Sequence, residues 1–323
     1  MYKTVAGAAI VAAILLANSA VAQVKWDAPT DMPPSNPVTQ NMEIFAKEIS
    51  EATQGKLSIV VHPSGTLFKG SELPRALRMS QVSIGEMPSG ILENQNAIFS
   101  IDSLPLLSKS FDEAYKLWQV QKPYVERELG KQGIIVLYTM PSPPQGLFAD
   151  RAINTKADLA GLKWRAYDPV TARIGSGLGA QPVTIALSEL SQALGVGMVQ
   201  AFPTSARTGV DMKAWENVKY FYTMDLAYPK RMVLANEKDL EALGAEIRNT
   251  VLELSAKAEK RGWQMVRDDT DNALEALRAN GVVVSAPSPE LVADMQQVAK
   301  SLEGGWLERA GADGRKILDS YRN

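Results

Sequence analysis

Glu72-Leu73-Pro74-Arg75-Ala76-Leu77, with Val82 five residues farther on, returns as Glu189-Leu190-Ser191-Gln192-Ala193-Leu194 with Val199. In each copy an apolar helix face leads into a strand. The strands run out into Glu86-Met87-Pro88-Ser89 and Pro203-Thr204-Ser205. Ligands of parallel α/β sheets bind beyond the carboxyl ends of strands. Two lobes built on the same helix-to-strand unit can therefore present two such ends to one shared cleft. Two ordinary helix–strand units can also share this spacing by chance, because helices and strands have few periodic solutions.

Outward from the repeat, helices and short buried strands alternate. Val24–Asp27 reads as a first strand and Pro29–Pro37 as a loop. Met42–Thr53 reads as an amphipathic helix stopped by Gly55, and Leu57–His62 as the next strand. A helix over Glu72–Met79 precedes a strand at Val82–Ile84, and a helix over Phe111–Leu129 precedes a strand at Ile134–Tyr138. This alternation predicts an α/β fold with mainly parallel sheets. From Glu237 to Leu277 the pattern is helical and unusually long for one lobe, interrupted by Gly244 and Gly262. A spine crossing both lobes explains the length, with a kink expected near Arg261-Gly262-Trp263. Val282–Val284 gives a last strand before a helical tail over Pro289–Tyr321. The expected division is 1–22 as a signal peptide, 23–141 plus about 231–270 as one lobe, and 142–230 plus about 271–323 as the other.

Lys3, the apolar run Val5–Leu16 and Ala20-Val21-Ala22 ahead of Gln23 have the layout of a cleavable secretory signal. The run is short for a membrane span, which takes about 20 residues. The mature chain is therefore expected to be soluble and outside the cytoplasm. It has no cysteine, which rules out disulfides, a thiolate nucleophile and thiolate metal ligation. The full chain's net charge of −2 and scattered basic residues leave no electrostatic footprint for nucleic acid. The one histidine, His62, ends a strand and would have to serve as the base of any Ser–His–Asp triad. No Gly-x-Ser-x-Gly motif accompanies it. Gly175-Ser176-Gly177-Leu178-Gly179 lacks both a Walker lysine and dinucleotide spacing, and reads as a helix stop. These absences predict a protein that is not an enzyme and holds no metal or cofactor. A periplasmic hydrolase using His62 is the alternative.

Lys156-Ala157-Asp158-Leu159-Ala160-Gly161-Leu162-Lys163-Trp164-Arg165 closely resembles a motif of the substrate-binding proteins of tripartite ATP-independent periplasmic (TRAP) transporters, the DctP-like family. The likeness continues through Leu178–Val183, the Glu189–Leu194 helix and Gly197–Ala201. It extends to Ala52–Leu57 and Val233–Asn236. What the resemblance implies is a two-lobed periplasmic binding protein, type II-like, with a long helix spanning both lobes. Its cleft would close on a small organic anion, a monocarboxylate or alternatively a sulfonate, for delivery to the small and large permease subunits. By the motif match, Arg165 would take the carboxylate as a bidentate pair, for which a guanidinium fork is suited.

Departures from the family pattern shape the rest of the site. Gln145, in Pro144-Gln145-Gly146, stands where sialic-acid-type members carry a second cation. Thr204 falls near a ligand-contacting Asn position. Ala201-Phe202-Pro203 lacks the acidic-aromatic pair that helps hold a metal in keto-acid-binding members. Neither sialic acid nor a metal-bridged keto acid is therefore expected. Tyr138, Phe148, Tyr167, Phe202 and Trp215 are aromatics of the expected cleft, favouring a ligand with an apolar or aromatic body or a small hydroxy acid. Asp31, Glu86 and Asp211 are candidates to hold ligand hydroxyls or to cap helices and turns. The expected ligand set is Arg165, Gln145, Thr204, Ser205, Tyr167, Phe202, Trp215, Glu86, Ser89 and Asp31. Hinges are expected near Met140–Pro144 and Lys230–Met232.

Overall fold

The computed structural model describes residues 23–323, so the expected signal segment Met1–Ala22 lies outside the described residues. The elements in order are β1 (Val24–Pro29), α1 (Pro37–Ala52), β2 (Leu57–His62), α2 (Leu73–Arg78), β3 (Ile84–Pro88), α3 (Phe111–Gly130), β4 (Ile134–Pro141) and β5 (Gln145–Ala149). Then come α4 (Lys156–Leu159), β6 (Lys163–Ala166), α5 (Pro169–Gly177), β7 (Gln181–Thr184), α6 (Leu187–Gly195), β8 (Ala201–Ser205), α7 (Ala206–Asp211) and β9 (Tyr220–Tyr222). The chain ends with β10 (Lys230–Asn236), α8 (Glu237–Ala242), α9 (Gly244–Ala279), β11 (Val283–Ser285) and α10 (Pro289–Arg322). Helix α1 begins ahead of the expected Met42 because Asn36 caps it, its side chain accepting from the Val38 amide at 3.0 Å, with Pro37 in the first turn.

The repeat is structural: α2 leads into β3, and α6 leads into β8. In both copies the strand begins two residues after the buried valine, Val82 or Val199. The sheets are less parallel than the alternation suggests. Strand β10 lies antiparallel between β3 and β4, and β5 lies antiparallel between β8 and β9. Among the described residues only β1–β2, β6–β7, β6–β8 and β9–β11 pair in parallel. The physical reason is that β4 runs out of the first lobe into β5, and β10 runs back. A return strand beside an outgoing one is antiparallel.

These two crossings meet as a short ladder. The Ser142 amide donates to the Pro229 carbonyl at 2.6 Å, and the Gln145 amide to the Ala227 carbonyl at 2.9 Å. The first-lobe sheet is buried on both faces, so β10 reads as an unbroken apolar run in its centre. Met232 and Leu234 enter one core cluster, Val233 and Ala235 the other. At the start of β10 sits Lys230, fully buried. Its ammonium lies 2.8 Å from Asp102, and Asp102 also accepts from the Lys230 amide and from Ser89.

Helix α9 spans 36 residues, about 54 Å at the α-helical rise. Val251, Ala258 and Val266 pack in the first lobe; Ala273 and Leu277 pack in the second. The chain does break at Gly244, which has φ +79°. The kink expected at Gly262 is not there. A Cβ on Gly262 would lie 2.6 Å from Met140 Cγ and 2.8 Å from Asn41 Nδ2, so this glycine lets α9 approach β4 and α1. Helix α10 corrects the expected division, which gives everything after about residue 271 to the second lobe. Leu291, Met295 and Val298 do pack there, but Trp306, Ile317, Leu318 and Tyr321 belong to the first-lobe core. At 34 residues α10 is long enough to reach both, bending where Gly311 leaves helical geometry.

Two outcomes check this packing. Gly262→Ala, despite alanine's better helix propensity, should destabilise the protein by about 1–3 kcal/mol through overpacking. Gly304→Ala in α10, where nothing lies within 4 Å of the added Cβ, should be neutral or stabilising in the same urea titration. Lys230→Ala strands Asp102 in the core, and the loss should be about 3–5 kcal/mol. Lys230→Met with Asp102→Leu should lose distinctly less, as read by denaturant midpoints.

Candidate functional site

Between the two lobes lies a cavity of about 260 Å³. Pro88 at the end of β3 and Ile91 just past it border the cavity; Thr204 and Thr208 border it at the end of β8 and in α7. Both repeat strands therefore direct their carboxyl ends to the same space. The volume falls below the ~300–1,000 Å³ typical of sites for drug-sized ligands. The site suits a small molecule.

Arg165 reaches the cavity because β6 alternates. Trp164 and Ala166 enter the second-lobe core, and Arg165 takes the opposite face. It is 3 % exposed. Its Nε donates to the Ile185 carbonyl at 2.9 Å, and its guanidinium lies 5.0 Å from the centroid of the Tyr167 ring. No carboxylate pairs with it among the described residues. Burial pushes its pKa down to about 10, against the favourable fields of Tyr167, Asp168 and Asp31. The group stays charged at neutral pH, with no carboxylate partner among the described residues. Such a guanidinium is poised for an incoming anion.

The other cations of the lining are already engaged. Arg231 forms a two-pronged pair with Glu86, Nη2 to Oε2 at 3.0 Å, and Glu86 also accepts from Thr30. Lys69 pairs with Glu189 across the cleft at 2.5 Å. Asp31 accepts from the Gly70 amide at both carboxylate oxygens, at 3.0 and 3.1 Å, and among the described residues faces no cation within bonding distance. Gln145 donates to the Pro143 carbonyl at 2.9 Å, and its Oε1 has no hydrogen-bond donor among the described residues.

Of the expected ligand set, Arg165, Gln145, Tyr167, Thr204 and Asp31 line this cavity. Five do not. Phe202 stacks on Phe148 at 5.0 Å inside the second-lobe core, because paired positions on β5 and β8 turn both rings inward. Trp215 packs against that same cluster. Ser205 caps α7, accepting from the Thr208 amide. Ser89 is spent on Asp102, and Glu86 acts from behind Arg231. Tyr138 and Phe148 are also core, Tyr138 edge-on to Phe45 at 5.3 Å. Asp211 accepts from Ser35 and Asn36 and pairs with Arg207, tying the lobes together. His62 bonds Asp27 at 2.8 Å on the edge strands, apart from the cavity lining. Among the described residues no group of three or more His, Cys, Asp or Glu is placed to hold a metal.

Sequence reasoning missed Lys69, Glu189, Arg231 and Thr208. Glu189 belonged to the quoted repeat and Arg231 to the expected hinge, yet neither spacing says which face a side chain takes.

A sequence profile described as "Bacterial extracellular solute-binding protein, family 7" matches residues 30–304. A crystal structure of DctP7, a Bordetella pertussis extracytoplasmic solute receptor binding pyroglutamic acid, is 39% identical, with a TM-score of 0.91. That match covers 93% of this chain and 100% of the other. A marine metagenome TRAP solute-binding protein specific for pyroglutamate is 33% identical, with a TM-score of 0.91, covering 93% of this chain and 99% of that one. The C4-dicarboxylate-binding periplasmic protein DctP of Rhodobacter capsulatus is 23% identical over 289 residues, 87% of this chain and 85% of its own length.

One titration is readable near the cleft. Asp168 caps α5, accepting from the Thr171 amide and hydroxyl at 2.7 Å each, and packs against Gly90 and Ser103 of the first lobe. Burial raises its pKa from 3.8 to about 6, with Glu93 and Asp102 adding to the rise and the Thr171 bonds opposing it. A folded pKa raised above the unfolded one stabilises most below pH ~3.8, and that contribution is lost as pH rises through about 6. Wild type minus Asp168→Asn stability should therefore increase from pH 7 to pH 4 by on the order of 2–3 kcal/mol, measured by urea unfolding.

Proposed function

The chain belongs to family 7 of the bacterial extracellular solute-binding proteins, and on that premise we propose that its cleft takes a small cyclic monocarboxylate of the pyroglutamate class. The observation that carries this reading is Arg165, a buried cation on the cavity wall with no acidic partner among the described residues. Asp31 supplies the complementary feature from the other lobe, a carboxylate facing the same cavity. An anionic head on Arg165 and an N–H or O–H donated to Asp31 satisfy both groups. Gln145 Oε1 and the Thr204 and Thr208 hydroxyls offer further polar contacts, and Ile91, Ile185 and Leu187 cover the apolar body. The small cavity and the kinship with two pyroglutamate receptors support a five-membered lactam acid over longer ligands. On the same reading the chain works in the periplasm and hands its ligand to a TRAP permease.

Closure would turn on the paired crossings at Ser142–Gln145 and Leu226–Pro229, with α9 as the third connection. Binding is tested by titration calorimetry with pyroglutamate, proline and a small sulfonate. Wild type should favour pyroglutamate. Arg165→Ala should lose about 2–5 kcal/mol, two to three decades of affinity, and Arg165→Lys should recover only part, lacking the two-pronged geometry. Stability should stay level or rise on losing the unpaired guanidinium. Normal binding by Arg165→Ala, or its unfolding, assigns Arg165 to structure instead.

A further inference from the structure

Lys69 is held at both ends by the two glutamates of the internal repeat. Its amide donates to Glu72 Oε2 at 2.8 Å within the first lobe. Its ammonium meets Glu189 Oε1 at 2.5 Å across the cleft. The next residue, Gly70, donates its amide to Asp31, which fixes the backbone from which Lys69 reaches out. Lys69 and Glu189 both line the ligand cavity. Each is about half exposed, with side-chain values of 42 % and 51 %, so the pair is worth little as adhesive between the lobes. Its effect is on charge placement. Three cations, Lys69, Arg165 and Arg231, and two acids, Asp31 and Glu189, line the cavity. That is a surplus of one positive charge, and none once Glu86 behind Arg231 is counted. Such a wall matches at most one carboxylate.

We propose that Glu189 determines the charge specificity of the cleft, engaging the Lys69 ammonium so that one-carboxylate ligands are accepted and dicarboxylates refused. This rests on the monocarboxylate reading above. Glu189→Gln keeps the shape and frees a cation in the first lobe, while Arg165 remains in the second. A second ligand carboxylate then finds a partner where the native wall offers an acid. Lys69→Met breaks the same cross-cleft pair but removes the cation, so it controls for any loosening of closure.

The experiment is titration calorimetry of wild type, Glu189→Gln and Lys69→Met with pyroglutamate, succinate and glutarate. Glu189→Gln should raise the affinity for a dicarboxylate relative to pyroglutamate at least tenfold, and Lys69→Met should not. Equal shifts in the two variants would falsify the proposal, since they would reflect closure alone. Wild type that binds succinate as tightly as pyroglutamate overturns it too, while leaving the receptor reading intact. Wild type that binds no carboxylate overturns both.

Discussion

The antiparallel pairing of β4 with β10 is the constraint on which the rest of the molecule depends. It carries the chain out of the first lobe and back, and it continues as the hydrogen bonds between Ser142–Gln145 and Leu226–Pro229. The buried Asp102–Lys230 pair sits where that ladder begins. A buried ion pair adds little net stability over an apolar replacement. What it supplies here is position, because Asp102 binds the Lys230 backbone and side chain together and takes Ser89 from the end of β3. With β10 placed, Arg231 falls at the cavity with Glu86 behind it.

The chemistry of the cleft follows from which charges are already satisfied. Arg231 and Lys69 are spoken for by Glu86 and Glu189. Arg165 is buried with one backbone hydrogen bond and no counter-ion among the described residues. In a low-dielectric site a guanidinium in that condition gains most from a carboxylate, and it gains less from a neutral donor or acceptor. On the proposed reading, selectivity comes as much from the quenched cations Lys69 and Arg231 as from Arg165. Tyr167 lines the cavity, whereas the inward pairing of β5 with β8 commits Phe148 and Phe202 to packing.

Much of this was legible in the residues. The repeat around Glu72 and Glu189 marked two equivalent helix-to-strand units, and the motif ending at Arg165 marked the strand of an arginine that faces the cavity. The length of the helical stretch after Glu237 signalled a spine. These features are local: they depend on spacing along one helix or strand, where period and side-chain direction are coupled. Their limits are local as well. Gly262 reads as a kink in isolation, and only the approach of Met140 and Asn41 shows it as a packing glycine.

The sequence by itself determined the two-lobe α/β architecture, the family resemblance and the strand that bears Arg165. Only the tertiary structure decided which strands run antiparallel, that α10 serves both cores, and which polar residues face the cavity. Glu86, Ser89 and Ser205 turned out to be bonded elsewhere, while Lys69, Glu189 and Arg231 entered the lining. The physical reason is that a side chain's partner is chosen by contacts between residues far apart in the chain. Lys69 meets Glu189 across 120 positions and Arg231 meets Glu86 across 145, distances over which no periodicity along the sequence carries information.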